Sequence, residues 1–169
     1  MKRTTTALAG ALAVLALCTS CASGPGAGSG SGSKDPIRVG AISSLSGPSS
    51  FPEATQAAQA VFDRFNESGG LDGRRIEYTV QDDKSDPGAA ASAARELVGQ
   101  DGVVALVGSS SLLECQINSD YYGQEGISSI EGVAVDPVCF SSPAIAPTVV
   151  GPYGDTELSL TLGSEQLGL

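Results

Sequence analysis

The chain has 169 residues, nine basic against nineteen acidic, for a formal charge of −10, and it contains neither histidine nor tryptophan. That length accommodates one domain. The missing histidine excludes Ser-His-Asp and Cys-His nucleophile pairs and the commonest transition-metal ligand, and the acidic balance argues against a nucleic-acid partner.

Residues 1–21 read as a secretory signal. Lys2 and Arg3 supply a positive start, Ala7 to Leu17 form an apolar run, and small residues with Cys18 and Cys21 follow. The run is well short of the ~20 residues a membrane-spanning helix needs. Ser20-Cys21 resembles a bacterial lipobox, although Cys18 stands where a leucine is usual; the resemblance implies lipidation at Cys21 and a membrane anchor. Residues 22–35 are a linker, because the glycine–serine alternation from Gly24 to Ser33 has no apolar surface to bury.

From Pro36 onward β-like and helical patterns alternate. Ile37 to Ile42 is a predicted strand. Ser50 and Glu53 stand at capping-box spacing before a helix whose apolar face is Ala54, Ala57, Ala58, Val61, Phe62 and Phe65, and Gly69-Gly70 ends it. Arg75 to Val80 is the second strand. Asp86-Pro87 starts the second helix, which buries Ala90, Ala93, Ala94, Leu97 and Val98. Val103 to Val107, apolar throughout, reads as a strand covered on both faces. A third helix runs to about Gln124, and Ile127 to Ile130 is a shorter fourth strand.

This alternation predicts an α/β fold with a doubly wound parallel sheet. Right-handed crossovers place the loops after the strands, 43–51, 81–86, 108–112 and 131–136, along one sheet edge, where ligands of such folds bind. Cys115 and Cys139 are an even pair outside the leader. In an exported protein they are expected to form a disulfide, worth about 3 kcal/mol on the chain-entropy account, between the third helix and the segment after the fourth strand.

Several stretches carry a family resemblance: Pro36 to Pro48, Asn66 to Gly73 with Arg75, Gln81 to Pro87, and Val104 to Gly108 running into three serines. In this order they resemble the first lobe of the extracytoplasmic solute-binding proteins of ABC importers, of the leucine/branched-chain amino-acid-binding (type I periplasmic binding protein) kind. The resemblance implies an N-terminal lobe over 36–151 and, over 152–169, the start of a truncated second lobe. It implies a small-molecule ligand, an amino acid or a similar small carboxylate or amide, and ABC permease subunits as membrane partners. It places ligand contacts at Ser109, Ser110 and Ser111, at Gly132, Val133 and Ala134, and at Phe51. Phe51 also fits a hydrophobic staple, and the serines also fit loop or N-cap chemistry. Val135 stands where the branched-chain binders carry a threonine. The second lobe's acidic and tyrosine partners for a ligand ammonium are expected to be missing. No cofactor and no metal are implied, and the location is extracytoplasmic and lipid-anchored.

An enzyme is the weaker reading. Asp82 and Asp83 could serve as paired carboxylates and Ser109 to Ser111 as nucleophiles, but Gly108 to Leu112 is not a G-x-S-x-G elbow and no histidine is present to act as base. A ligand sensor or surface lipoprotein using the same lobe without transport is the remaining alternative.

Overall fold

A computed structural model describes residues 34–168. The expected signal, the expected lipidation residue Cys21 and the expected linker as far as Ser33 lie outside the described residues. Five parallel strands form one sheet in the order β2-β1-β3-β4-β5, with β1 at Ile37–Ser43, β2 at Ile76–Asp82, β3 at Leu106–Ser110, β4 at Ser129–Val133 and β5 at Ile145–Pro147. The helices are α1 (Glu53–Glu67), α2 (Pro87–Arg95, continued by a wider π-helical turn over Glu96–Asp101), α3 (Glu114–Glu125), α4 (Pro137–Ser141) and α5 (Gly151–Leu167). The step from β1 to β2 runs one way along the sheet and the later steps run the other way. Right-handed crossovers therefore put α1 on one face and α2, α3 and α4 on the other.

The second face carries the main core, where Ala93, Ala94 and Leu97 pack with Ile42, Leu106, Tyr122 and Ile145. Asp86 caps α2 as expected, its carboxylate accepting from Ala89 N–H at 2.8 Å with Pro87 in the first turn. The predicted buried residues of α2 are buried, with Val98 half-buried against them.

The α1 face departs from its sequence pattern. Ser50 does not cap the helix; its hydroxyl donates to Leu45 O, and Pro52 occupies the N-cap position without a side-chain bond. Ala57 and Val61 are exposed, and the most buried residues are the polar Thr55 and Asn66. Thr55 returns its hydroxyl to Pro52 O at 2.9 Å. Asn66 pairs with both backbone groups of Ile76, donating to its C=O at 2.8 Å and accepting from its N–H at 2.7 Å. These bonds turn the helix so that Phe62 stacks edge-on against Tyr78, with ring centroids 5.0 Å apart, and Val61 faces solvent.

Two strand boundaries also move. β3 begins at Leu106 rather than Val103, and Val104 is 62% exposed, so the apolar run is not covered on both faces along its length. β4 begins at Ser129 and extends to Val133, which places the first half of the expected 131–136 loop inside the sheet. Of the three elements after β4, α4 and β5 have no counterpart in the predicted pattern, although Asp136-Pro137 repeats the Asp86-Pro87 helix start, with Asp136 accepting from Val138 N–H at 2.9 Å. In α5 only Gly151 is buried, held at φ 80° with Phe140 so close that a Cβ would lie 2.4 Å from its ring. No helix among the described residues is long and apolar enough to cross a membrane.

Candidate functional site

Strand order reverses between β1 and β3, the position at which open α/β sheets leave a crevice beyond their C-terminal strand ends. Ser43 ends β1 and Ser110 ends β3, and the two are register partners. Their hydroxyl oxygens lie 3.0 Å apart and reach the same acceptor, the Phe51 carbonyl, at 3.1 and 2.5 Å. Phe51 N–H in turn donates to Ser44 O at 2.9 Å. The loop after β1 is thereby folded back over the end of β3, and the half-buried Phe51 is pinned by its backbone while its ring is free of these bonds.

The serine loop is built into the fold. Ser109 is fully buried, and its hydroxyl accepts from Ile42 N–H at 3.1 Å across a break in the β1–β3 register. Ser111 caps α3, accepting from the N–H groups of Leu113 and Glu114 at 3.0 and 3.1 Å while donating to the Asp83 carboxylate. Ser110 serves Phe51. All three hydroxyls are thus engaged internally.

The β4 end is equally packed. A Cβ on Gly132 would fall 2.3 Å from Ala54 Cβ, so only glycine lets α1 approach here. Val133 is the register partner of Ser110, and Ala134 is buried in the main core. Val135 is exposed on the rim, as is Leu112 beyond the serines. The topology therefore brings Phe51, Ser109, Ser110, Ser111, Gly132, Val133 and Ala134 to one edge of the sheet.

The acidic loop ties this edge together. The Asp82 carboxylate accepts from the N–H groups of Leu45, Ser46 and Lys84 at 3.0, 3.2 and 2.9 Å and from Ser46 Oγ at 2.5 Å. Burial is the largest single influence and raises its pKa, but the hydrogen bonds from Ser46, Lys84 and Leu45 together outweigh it and hold the carboxyl below its ordinary value. Asp83 is buried and accepts from Ser44 Oγ and Ser85 N–H at 2.8 and 2.9 Å as well as from Ser111. Lys84 and Ser85 both adopt φ 55°, an unfavourable conformation that these two carboxylates support. Both acids thus bind the loop after β1, each through its own donors, and Asp83 alone also reaches Ser111 beyond β3. They are not arranged as the paired catalytic carboxylates that their adjacency suggests.

Glu114 and Glu131, fully buried just below this edge, escaped the sequence reading. Glu114 was hidden in the expected third helix and Glu131 in what was expected to be a loop. The available signal was an acid between Ile130 and Gly132 in the β4 run, where a strand interior ordinarily carries apolar side chains.

The result is a doubly wound α/β lobe with its loops gathered on one edge around a strand-order switch. The chain belongs to the periplasmic binding protein family, whose family model it matches over residues 36–162. The Leu/Ile/Val-binding protein of Escherichia coli K12 is 35% identical over 104 residues, which cover 60% of this chain and 28% of that protein. A leucine-, isoleucine-, valine-, threonine-, and alanine-binding protein of Pseudomonas aeruginosa is 30% identical over 105 residues, 61% of this chain and 28% of its own length. Among solved structures, the branched-chain amino acid transporter substrate binding protein LivJ of Streptococcus pneumoniae, in complex with isoleucine, matches at 25% identity and TM-score 0.67. The match covers 79% of this chain and 39% of that one. A putative branched-chain amino acid ABC transporter from Rhodospirillum rubrum matches at 25% identity and TM-score 0.63, over 77% and 39%. The chain therefore spans about 28% of the length of the curated relatives it matches.

Proposed function

We propose that this chain is the first lobe of an extracytoplasmic solute-binding protein of an ABC importer, and that its ligand is an amino acid of the branched-chain type or a related small carboxylate or amide. The observation that carries this reading is the convergence of the loops after β1, β3 and β4 on the β1/β3 switch, where Ser43, Ser110 and Phe51 are locked together. The names of the relatives supply the ligand class. In this reading the backbone of residues 110–112 and 133–135 receives the ligand carboxylate, and Phe51, Leu112 and Val135 border its apolar part. A second lobe supplies the opposite wall, and the permease responds to the closed form. The role is binding rather than catalysis.

Nuclear magnetic resonance titration of the chain with leucine, isoleucine and valine tests the site. The expected result is weak binding, with amide shifts confined to the loops at 43–51, 108–112 and 131–136. Shifts confined to other loops, or micromolar affinity from this lobe alone, would overturn the reading. We also propose that the leader is removed and that Cys21 carries the lipid anchor. Mass spectrometry of the mature amino terminus tests this, and an unmodified alanine or serine start would refute the anchor.

A further inference from the structure

Two carboxyl groups are sealed on the α3 side of the sheet, and ligand binding as proposed uses neither. Glu114 opens α3, Glu131 lies within β4, and both are 0% exposed. Ser129, equally buried, joins them: its Oγ stands 3.3 Å from Glu114 Oε1 and 2.9 Å from Glu131 Oε1. A hydroxyl has one proton to donate. With both carboxylates ionised, Ser129 can satisfy one contact fully and leaves its lone pairs facing the other. With one carboxyl protonated, that group donates to Ser129 Oγ and both contacts are hydrogen bonds. Tyr122 Oη already donates to Glu114 Oε1 at 2.7 Å, and the Oε2 atoms of both acids have no hydrogen-bond partner among the described residues.

Among the described residues the surroundings supply no compensating charge. The titratable groups facing Glu114 are Tyr122 on its own helix, Asp83 from the loop after β2, Tyr78 on β2 and Glu131 on β4, and Glu131 in turn faces Glu114 and Tyr122. β3 offers the hydroxyl of Ser109, α2 its alanine face, and α4 the cysteine bonded to Cys115. Two buried anions with unsatisfied oxygens and no cation at hand are strongly disfavoured.

The geometry points to a proton-holding pair: Glu114 and Glu131 retain at least one proton between them through Ser129 near neutral pH, and its loss under alkaline conditions loosens the α3–β4 junction on which the ligand edge rests. Burial, with a smaller contribution from Asp83, pushes the Glu114 carboxyl up to about 7 against the opposing hydroxyls of Tyr122, Ser109 and Ser129. Burial and then the charge of Glu114 push Glu131 well above its ordinary range. The folded state therefore binds more protons than the unfolded state. Stability is greatest below the ordinary carboxyl value of 4.5 and falls as pH rises through about 7 and beyond.

Thermal unfolding of the full chain without ligand, from about pH 5 to about pH 9, tests the pair independently of any ligand assignment. The wild-type melting temperature is expected to fall by roughly 5–10 °C over that range, and Glu131→Gln, a neutral mimic of the protonated acid, to remove most of the slope. A flat wild-type profile, or an undiminished slope in Glu131→Gln, would overturn the proposal. Should the variant fail to fold, infrared spectroscopy of the wild type still decides. The proposal requires a protonated-carboxyl stretch at neutral pH that disappears as pH is raised, and absence of that band refutes it.

Discussion

Ser111 and Asp83, 28 residues apart, share a hydrogen bond that joins the end of β3 to the end of β2, and the same serine hydroxyl caps α3. One side chain thereby fixes where a helix starts relative to two strand ends on the loop edge of the sheet. Ser111→Ala leaves the N–H groups of Leu113 and Glu114 without their cap and removes a donor from a buried carboxylate. It is expected to destabilise the chain by about 1–3 kcal/mol, measured by urea unfolding. A loss below about 0.5 kcal/mol would show that the cap contributes little.

Gly132 is expected to be intolerant of any side chain. In Gly132→Ala the new Cβ meets Ala54 Cβ at 2.3 Å in the unrelaxed backbone, an overpacking that costs about 1–3 kcal/mol. Because the contact is specific, Ala54→Gly in the same chain should make the double variant less destabilised than the sum of the two single changes, as read in a double-mutant cycle. Strict additivity would place the strain elsewhere.

Asn66 substitutes for a strand neighbour by pairing with both backbone groups of Ile76. Asn66→Ala strands those groups at the start of β2 and is expected to cost about 1–3 kcal/mol, with faster amide hydrogen exchange at Ile76 than elsewhere in β2. Asn66→Asp retains the acceptor only, so it should protect the Ile76 amide while leaving its carbonyl without a donor.

Cys115 of α3 and Cys139 of α4 lie with sulfurs 2.06 Å apart and Cα atoms 5.2 Å apart. Alkylation without prior reduction is expected to label neither residue, and alkylation after reduction to label both. Replacing both by serine should cost about 3 kcal/mol, with the largest loosening around α4. Labelling of both in denaturant without reduction would mean that they are free thiols.

Some features were legible because they are local. Asp86 before Pro87 carries its own helix start, since cap and ring conformation depend on adjacent residues alone, and the alanine-rich face of α2 follows from spacing. The same logic was available at Asp136-Pro137, which caps the short α4. Ser50 and Glu53 show where local spacing fails: the predicted cap is lost because the loop is drawn back onto Ser43 and Ser44 at the end of β1 and Ser110 at the end of β3.

The order of residues by itself determined the alternation of strands and helices, and with it the parallel sheet and the edge where its loops collect. These depend on periodicity and on the handedness of crossovers, which short segments carry. Only the tertiary structure decided what the polar residues of that edge do. The serines at 109, 110 and 111 turn inward as caps and strand partners, Asp82 and Asp83 take different donors from the loop after β1, and Glu114 meets Glu131 across Ser129. Those roles depend on which strand ends become neighbours in space, and spacing along the chain contains no information about that.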